Sequence, residues 1–133
     1  MGGEMMKRLT ILMLLLSSTN VLAEWIWVGE SEEHNAYVDL QTIRKKGNKV
    51  KMWSLNDFKK IQVADNIPYI STIEINEFDC SEVTYASLEI SAFAENMGKG
   101  KVVNLYNFKT NIQEIPPYSM IKGLFKVACG KRK

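Results

Sequence analysis

After residue 24 the chain reads as short apolar, aromatic and β-branched runs bounded by turn residues, the pattern of strands, with apolar side chains at every second position most clearly at residues 86–92. Trp25-Ile26-Trp27-Val28 is an aromatic and β-branched run that stops at Gly29. Polar Ser31-Glu32-Glu33-His34 and a second run through Tyr37 and Val38 complete a hairpin pattern. Residues 40–46 are expected as a brief turn or a single helical turn. Gly47-Asn48 reopens the chain into Val50-Lys51-Met52-Trp53-Ser54-Leu55, whose apolar side chains occupy both phases, so both faces of this strand are expected against protein. Residues 58–68 mix Lys59, Lys60, Asp65 and Asn66 ahead of a proline and are expected as a loop.

Residues 69–78 resume as strand, with Ile73 and Ile75 in one phase and Phe78 in the other, which predicts a bulge or phase change near Asn76-Glu77. Ala86, Leu88, Ile90 and Ala92 alternate with Ser87, Glu89 and Ser91, predicting a strand with one apolar face on the core. Asn96-Met97-Gly98-Lys99-Gly100-Lys101 has turn chemistry, and residues 102–108 are expected as its hairpin partner. After Pro116-Pro117 the period lengthens: Ile121, Leu124, Phe125 and Ala128 recur at three- and four-residue spacing, with Cys129 on the same face. Pro117 suits the first turn of this helix and Gly130 its stop. The predicted fold is α+β: an antiparallel sheet of about six strands with a C-terminal helix packed on one face and tied to it by a disulfide.

That bond follows from the cysteines. Cys80 and Cys129 are the only two, so one pairing exists, and there is neither a CxxC motif nor enough histidine to complete a structural zinc site. An oxidising compartment is implied by the N-terminus. Met5-Met6-Lys7-Arg8 is a short positive region, Leu9 begins a mostly apolar run to Leu16, and Val21-Leu22-Ala23 offers a small-residue cleavage site. Residues 1–23 are therefore expected to be an export signal, and residues 24–133 the exported domain. The apolar run falls far short of the ~20 residues that span a bilayer, so no transmembrane segment is expected after signal removal. No cysteine stands at the cleavage point to carry a lipid.

With 133 residues, 46% hydrophobic and 24% charged, the composition is that of one globular domain. A net charge of +2, falling to about +1 without Lys7, Arg8 and Glu4, is too small for a long-range field that would gather nucleic acid. Any electrostatic partner has to meet a local patch.

Several short motifs occur in order: Tyr37-Val38-Asp39, Thr42-Ile43-Arg44 before Gly47, Val50 and Trp53 with Asp57-Phe58, Tyr69-Ile70-Ser71, Glu77-Phe78-Asp79-Cys80, Met97-Gly98-Lys99-Gly100, Pro116-Pro117 and the late Cys129. Together they resemble the surface-adhesin protein E family of small exported bacterial proteins. The resemblance implies the same disulfide-tied sheet and helix. It also implies a non-enzymatic binding protein, because the family is named for members that sit on the bacterial surface and bind host matrix and plasma proteins.

Catalytic chemistry is not expected. His34 is the sole histidine and lies in a predicted turn beside Glu32 and Glu33, without a recognisable nucleophile. Glu74, Glu77, Asp79 and Glu82 form an acidic cluster in sequence that would need a cleft to act together. No cofactor or metal is expected. The candidate partner-binding residues are the basic pairs Lys45 and Lys46, Lys59 and Lys60, and Lys99 and Lys101, with Lys131-Arg132-Lys133 beyond them; gathered by folding, they would meet an acidic protein patch or an anionic polysaccharide. Trp25, Trp27 and Trp53 are read as core residues or interface anchors. An exposed strand edge offers a second route, in which a partner chain or a second copy extends the sheet and forms a homodimer. The leading expectation is an exported protein, periplasmic or at the cell surface, that engages host matrix, plasma or envelope proteins through basic loops or a sheet edge. The rival is a periplasmic structural or stress-related envelope protein with no external ligand.

Overall fold

The computed structural model describes residues 23–130; apart from Ala23, the expected export signal lies outside the described residues, as does the Lys131-Arg132-Lys133 cluster. Strands β1 (Ile26–Glu30), β2 (His34–Lys46), β3 (Lys49–Ala64), β4 (Ile67–Asp79), β5 (Thr84–Phe93) and β6 (Val102–Tyr106) lie side by side in chain order, each antiparallel to the next. A two-residue β7 (Gln113–Glu114) pairs with the start of β5, and the helix α1 (Met120–Cys129) packs against β1 to β4. The α+β fold expected from the sequence is the one observed, with β7 added.

The helix covers one end of one sheet face. Val38, Val50, Met52 and Phe78 project from β2, β3 and β4 against Leu124, Ala128 and Cys129, and Ile115 closes the group from the approach to the helix. Phe78 and Phe125 meet edge to face at 6.1 Å. Full burial of each large apolar side chain contributes about 1.5–3 kcal/mol, so this cluster is where the helix is held. Cys80 and Cys129 are joined, with their Cα atoms 5.7 Å apart, so the expected disulfide is present and ties the end of α1 to the end of β4.

Leu55 belongs to the opposite face. It is fully buried beneath a folded segment at Asn96–Gly98, and Ile73 packs beside it. Both faces of β3 therefore touch protein, as its two apolar phases predict. The segment over Leu55 is more than a hairpin turn. Asp57 Oδ1 accepts from the Met97 N–H and from Asn96 Nδ2, each at 2.9 Å, while Ser71 Oγ donates to the Glu95 carbonyl at 2.6 Å and accepts from the Gly98 N–H at 2.9 Å.

Four elements depart from expectation. Residues 40–46 remain in β2: the ladder to β3 lapses between Asp39 and Arg44, and Thr42 bridges the gap, donating to the Asp39 carbonyl at 2.6 Å and accepting from the Trp53 N–H at 2.9 Å. Residues 58–68 form a hairpin in place of a loop. Asp65 and Asn66 both have positive φ, 51° and 64°, the backbone of a two-residue turn whose twist matches its strands, so β3 runs on to Ala64 and β4 begins at Ile67. In β5 the apolar alternation does not mark one face. The register shifts opposite Ile75 and Asn76, near the predicted bulge, so that Leu88 is left unpaired; Ser87 turns toward Asn76, while Ala86 lies beside Glu77 on the other face. Finally, α1 starts at Met120, with Ser119 as its cap accepting from the Lys122 N–H at 3.2 Å, because a serine side chain satisfies a free helical N–H that a proline cannot. Gly130, at φ 68°, ends it as expected.

Candidate functional site

The β2–β3 hairpin gathers the densest charge. Gly47, at φ +61°, makes the tight turn, and the register then places Lys46 opposite Lys49 and Arg44 opposite Lys51, with Glu77 of β4 beside Lys51. Residues directly opposite in a sheet share a face, with about 5 Å between strands and about 7 Å along each strand to the next residue on that face. The result is a cleft of about 520 Å³ lined by Arg44, Lys45, Lys46, Lys49 and Lys51 with one carboxylate, Glu77. Glu77 is shared: Lys109 Nζ lies 3.1 Å from its Oε1 and Lys49 Nζ 3.8 Å. Among the described residues, Lys45, Lys46 and Lys51 form no salt bridge and all three are exposed. Arg44 donates to the carbonyls of Gln41 and Ile43 at 2.8 and 2.9 Å, holding its guanidinium at the rim of the sheet.

The lysine pairs singled out in the sequence do not converge. Lys59 stands ten positions beyond Lys49 on β3, about 30 Å along an extended strand, and forms an ion pair with Glu30. Lys60 follows it. Lys99 lines a separate open depression with Ile61, Ile70 and Met97, and Lys101 precedes β6 at that same end of the sheet. Only Lys45 and Lys46 enter the cleft, joined there by Arg44, Lys49 and Lys51. The sequence carried a usable signal: reading outward from Gly47-Asn48 as a hairpin turn pairs these cations two by two.

Trp53 stands two residues from Lys51 on the same face, opposite Asp39 and Ile75, and remains 41% exposed; Trp27, near the β1 edge, is 57% exposed. Neither is a core residue. Leu40 and Leu105 are also open to solvent. This face lies opposite the one that α1 covers, and the Asn96–Gly98 segment covers only its Leu55 and Ile73 end.

The residues weighed for catalysis are dispersed. His34 begins β2 with its ring 5.5 Å from Phe58 and its Nδ1 3.2 Å from Ser31 Oγ; burial holds its pKa below the usual histidine value, against the opposing charge of Glu33. Glu74 and Glu77 face opposite sides of β4. Burial pushes the Glu74 carboxyl up, partly offset by a hydrogen bond with Asn76. Asp79 Oδ1 accepts from the Ser81 and Glu82 N–H groups at 3.0 Å each and so braces the turn that carries Cys80. No group of three or more histidine, cysteine, aspartate or glutamate side chains suited to a metal occurs among the described residues, and no helix among them is long and apolar enough to cross a membrane.

Comparison with known proteins agrees with this architecture. Two solved structures of protein E from Haemophilus influenzae share the fold: one matches with a TM-score of 0.61 at 13% identity, over 84% of this chain and 87% of that one. The other, from a non-typeable strain, matches with a TM-score of 0.58 at 14% identity, over 84% and 78%. No curated protein sequence matches. The model of the family described as surface-adhesin protein E matches residues 25–130, nearly all of the chain beyond the expected export signal. This chain belongs to the surface-adhesin protein E family.

Proposed function

We propose that this protein is exported with loss of residues 1–23 and acts at the cell surface as an adhesin, binding a host matrix or plasma component by contact alone, without catalysis. The observation that carries the reading is the β2–β3 hairpin, where Arg44, Lys46, Lys49 and Lys51 share one face with Glu77 and Lys45, opposite Val50, adds a fifth cation at the edge of the cleft, in a chain of nearly balanced charge. Such a patch creates a local field that attracts an anionic surface, and it weakens as salt screens it over about 10 Å at 0.1 M ionic strength. Family membership supports the adhesin role. The Lys59 and Lys60 end contributes less, because Lys59 is already paired with Glu30.

Surface plasmon resonance on immobilised matrix and plasma proteins tests the proposal. Wild-type protein is expected to bind at least one of them saturably. The K45E/K46E variant is expected to lose about tenfold or more in affinity and K59E/K60E to change it little. Saturable binding equal in wild type and K45E/K46E would move the contact elsewhere, and absence of binding to the whole panel would contradict the adhesin role.

A further inference from the structure

We infer that the β2–β3 cleft is built for a sulfated polysaccharide chain, with Trp53 as the platform on which a sugar ring rests; this rests on the adhesin reading and names the ligand chemistry of the same site. Four of the five cations in the cleft are lysines. A lysine ammonium is a compact point charge that accepts an anion from any direction, whereas the planar arginine fork is the group that matches a carboxylate bidentately. The one arginine present spends donors of its guanidinium on the Gln41 and Ile43 carbonyls. The lining thus suits a ligand with many rounded anionic groups spread along its length better than one or two carboxylates fixed in place.

The geometry argues against an acidic peptide on two further grounds. A peptide adding as a strand needs a continuous row of free backbone groups. β2 does not run regularly there: between Asp39 and Arg44 it carries four residues against the one, Met52, of β3, and the Gln41 and Ile43 carbonyls are occupied by Arg44. A peptide docking by side chains needs an apolar pocket for an anchor. The cleft has none, since the only aliphatic surface in its lining is the lysine and arginine stems.

A glycan meets a different requirement. The register sets Arg44, Lys46, Lys49 and Lys51 in a two-by-two grid, about 5 Å across the strands and about 7 Å along them. Trp53 continues the β3 row by one more step on the same face, with its indole open to solvent. A ring lying on that indole is one step from Lys51, and anionic substituents on the neighbouring rings reach the grid. The carboxylates on this face near the cleft are Asp39, which is buried and accepts from the Gln41 N–H, Glu77, which Lys49 and Lys109 neutralise, Asp79, which lies opposite Lys49 and accepts from the Ser81 and Glu82 N–H groups, and Glu89, farther off beside Ile75. At the grid itself Arg44, Lys46, Lys49 and Lys51 outnumber Glu77 and Asp79. The field over the cleft is therefore left positive.

The test uses heparin, fully desulfated heparin and polyglutamate as soluble ligands, measured by calorimetry on the exported domain. Heparin is expected to bind with an affinity that falls as salt rises, and desulfated heparin and polyglutamate to bind at least about tenfold more weakly. K45A/K46A/K51A is expected to weaken heparin by about tenfold or more, and K59A/K60A to leave it unchanged. W53A is expected to weaken heparin while W53F retains most of it; equal melting temperatures show that each variant is folded. Equal binding of heparin and polyglutamate, or of heparin to wild type and the triple variant, would overturn the assignment. Binding to a matrix protein that needs Lys45 and Lys46 but survives enzymatic removal of sulfated glycans would also overturn it, while leaving the adhesin reading intact. Loss of every interaction, matrix proteins included, would remove both.

Discussion

Single residues settle where this sheet is closed and where it stays open. Gly98 sits at φ +67° against the second face, and a Cβ added there would lie 2.8 Å from Ile73 Cδ1 and 3.2 Å from Leu55 Cδ1. Gly98→Ala is therefore expected to destabilise the fold by about 1–2 kcal/mol through backbone strain and crowding, read as a lower denaturation midpoint at unchanged m-value. Glu74 makes the opposite kind of prediction. Burial raises its pKa in the folded state above the unfolded value, so folding favours the protonated carboxyl. Its contribution is fully present below the unfolded pKa and is lost as pH rises through the folded one. Glu74→Gln is accordingly expected to raise stability at pH 7, with the gain shrinking as pH falls toward the ordinary glutamate pKa, as followed by thermal melting across pH. A constant gain at every pH would show that the charge is not the cause.

At the scale of elements, what was legible depended on whether local spacing alone decides the structure. The helix read clearly because Leu124, Phe125 and Ala128 keep a helical period whatever they pack on, and its stop at Gly130 needs only a positive φ. Residues 58–68 did not read as strand. Their polar side chains are those of an exposed hairpin, and the Asp65-Asn66 turn that joins its arms carries no glycine. The β5 alternation misled in another way, since one unpaired residue, Leu88, exchanges the faces of everything beyond it, and strand pairing lies outside any window on one strand. The disulfide was legible because two cysteines allow one pairing. It holds α1 over the sheet across 49 positions of sequence, which the loop-entropy account values at about 4 kcal/mol. Replacing both cysteines by serine is expected to cost about 2–5 kcal/mol in chemical denaturation and to open α1 first, seen as loss of hydrogen-exchange protection between residues 120 and 129. Unchanged protection would mean that the Val50, Met52 and Phe78 packing holds the helix unaided.

For the whole molecule, a sheet that runs in chain order has a simple consequence: one end carries the β2–β3 turn, the Cys80 turn and the end of α1, and the other carries the Asn96–Gly98 segment and Lys59. The basic pairs named from the sequence are thereby divided, and the cleft at Lys45 and Lys46 gains Arg44, Lys49 and Lys51 from the same eight residues, which the turn at Gly47 folds against one another. This division explains how a nearly neutral chain presents one strongly positive site. The site serves an adhesin only if it faces the medium. Antibody labelling of intact bacteria, with a periplasmic protein as the control for leakage, tests this most directly. The account predicts labelling of intact cells while the control stays dark; labelling that appears only after the outer membrane is permeabilised would contradict it.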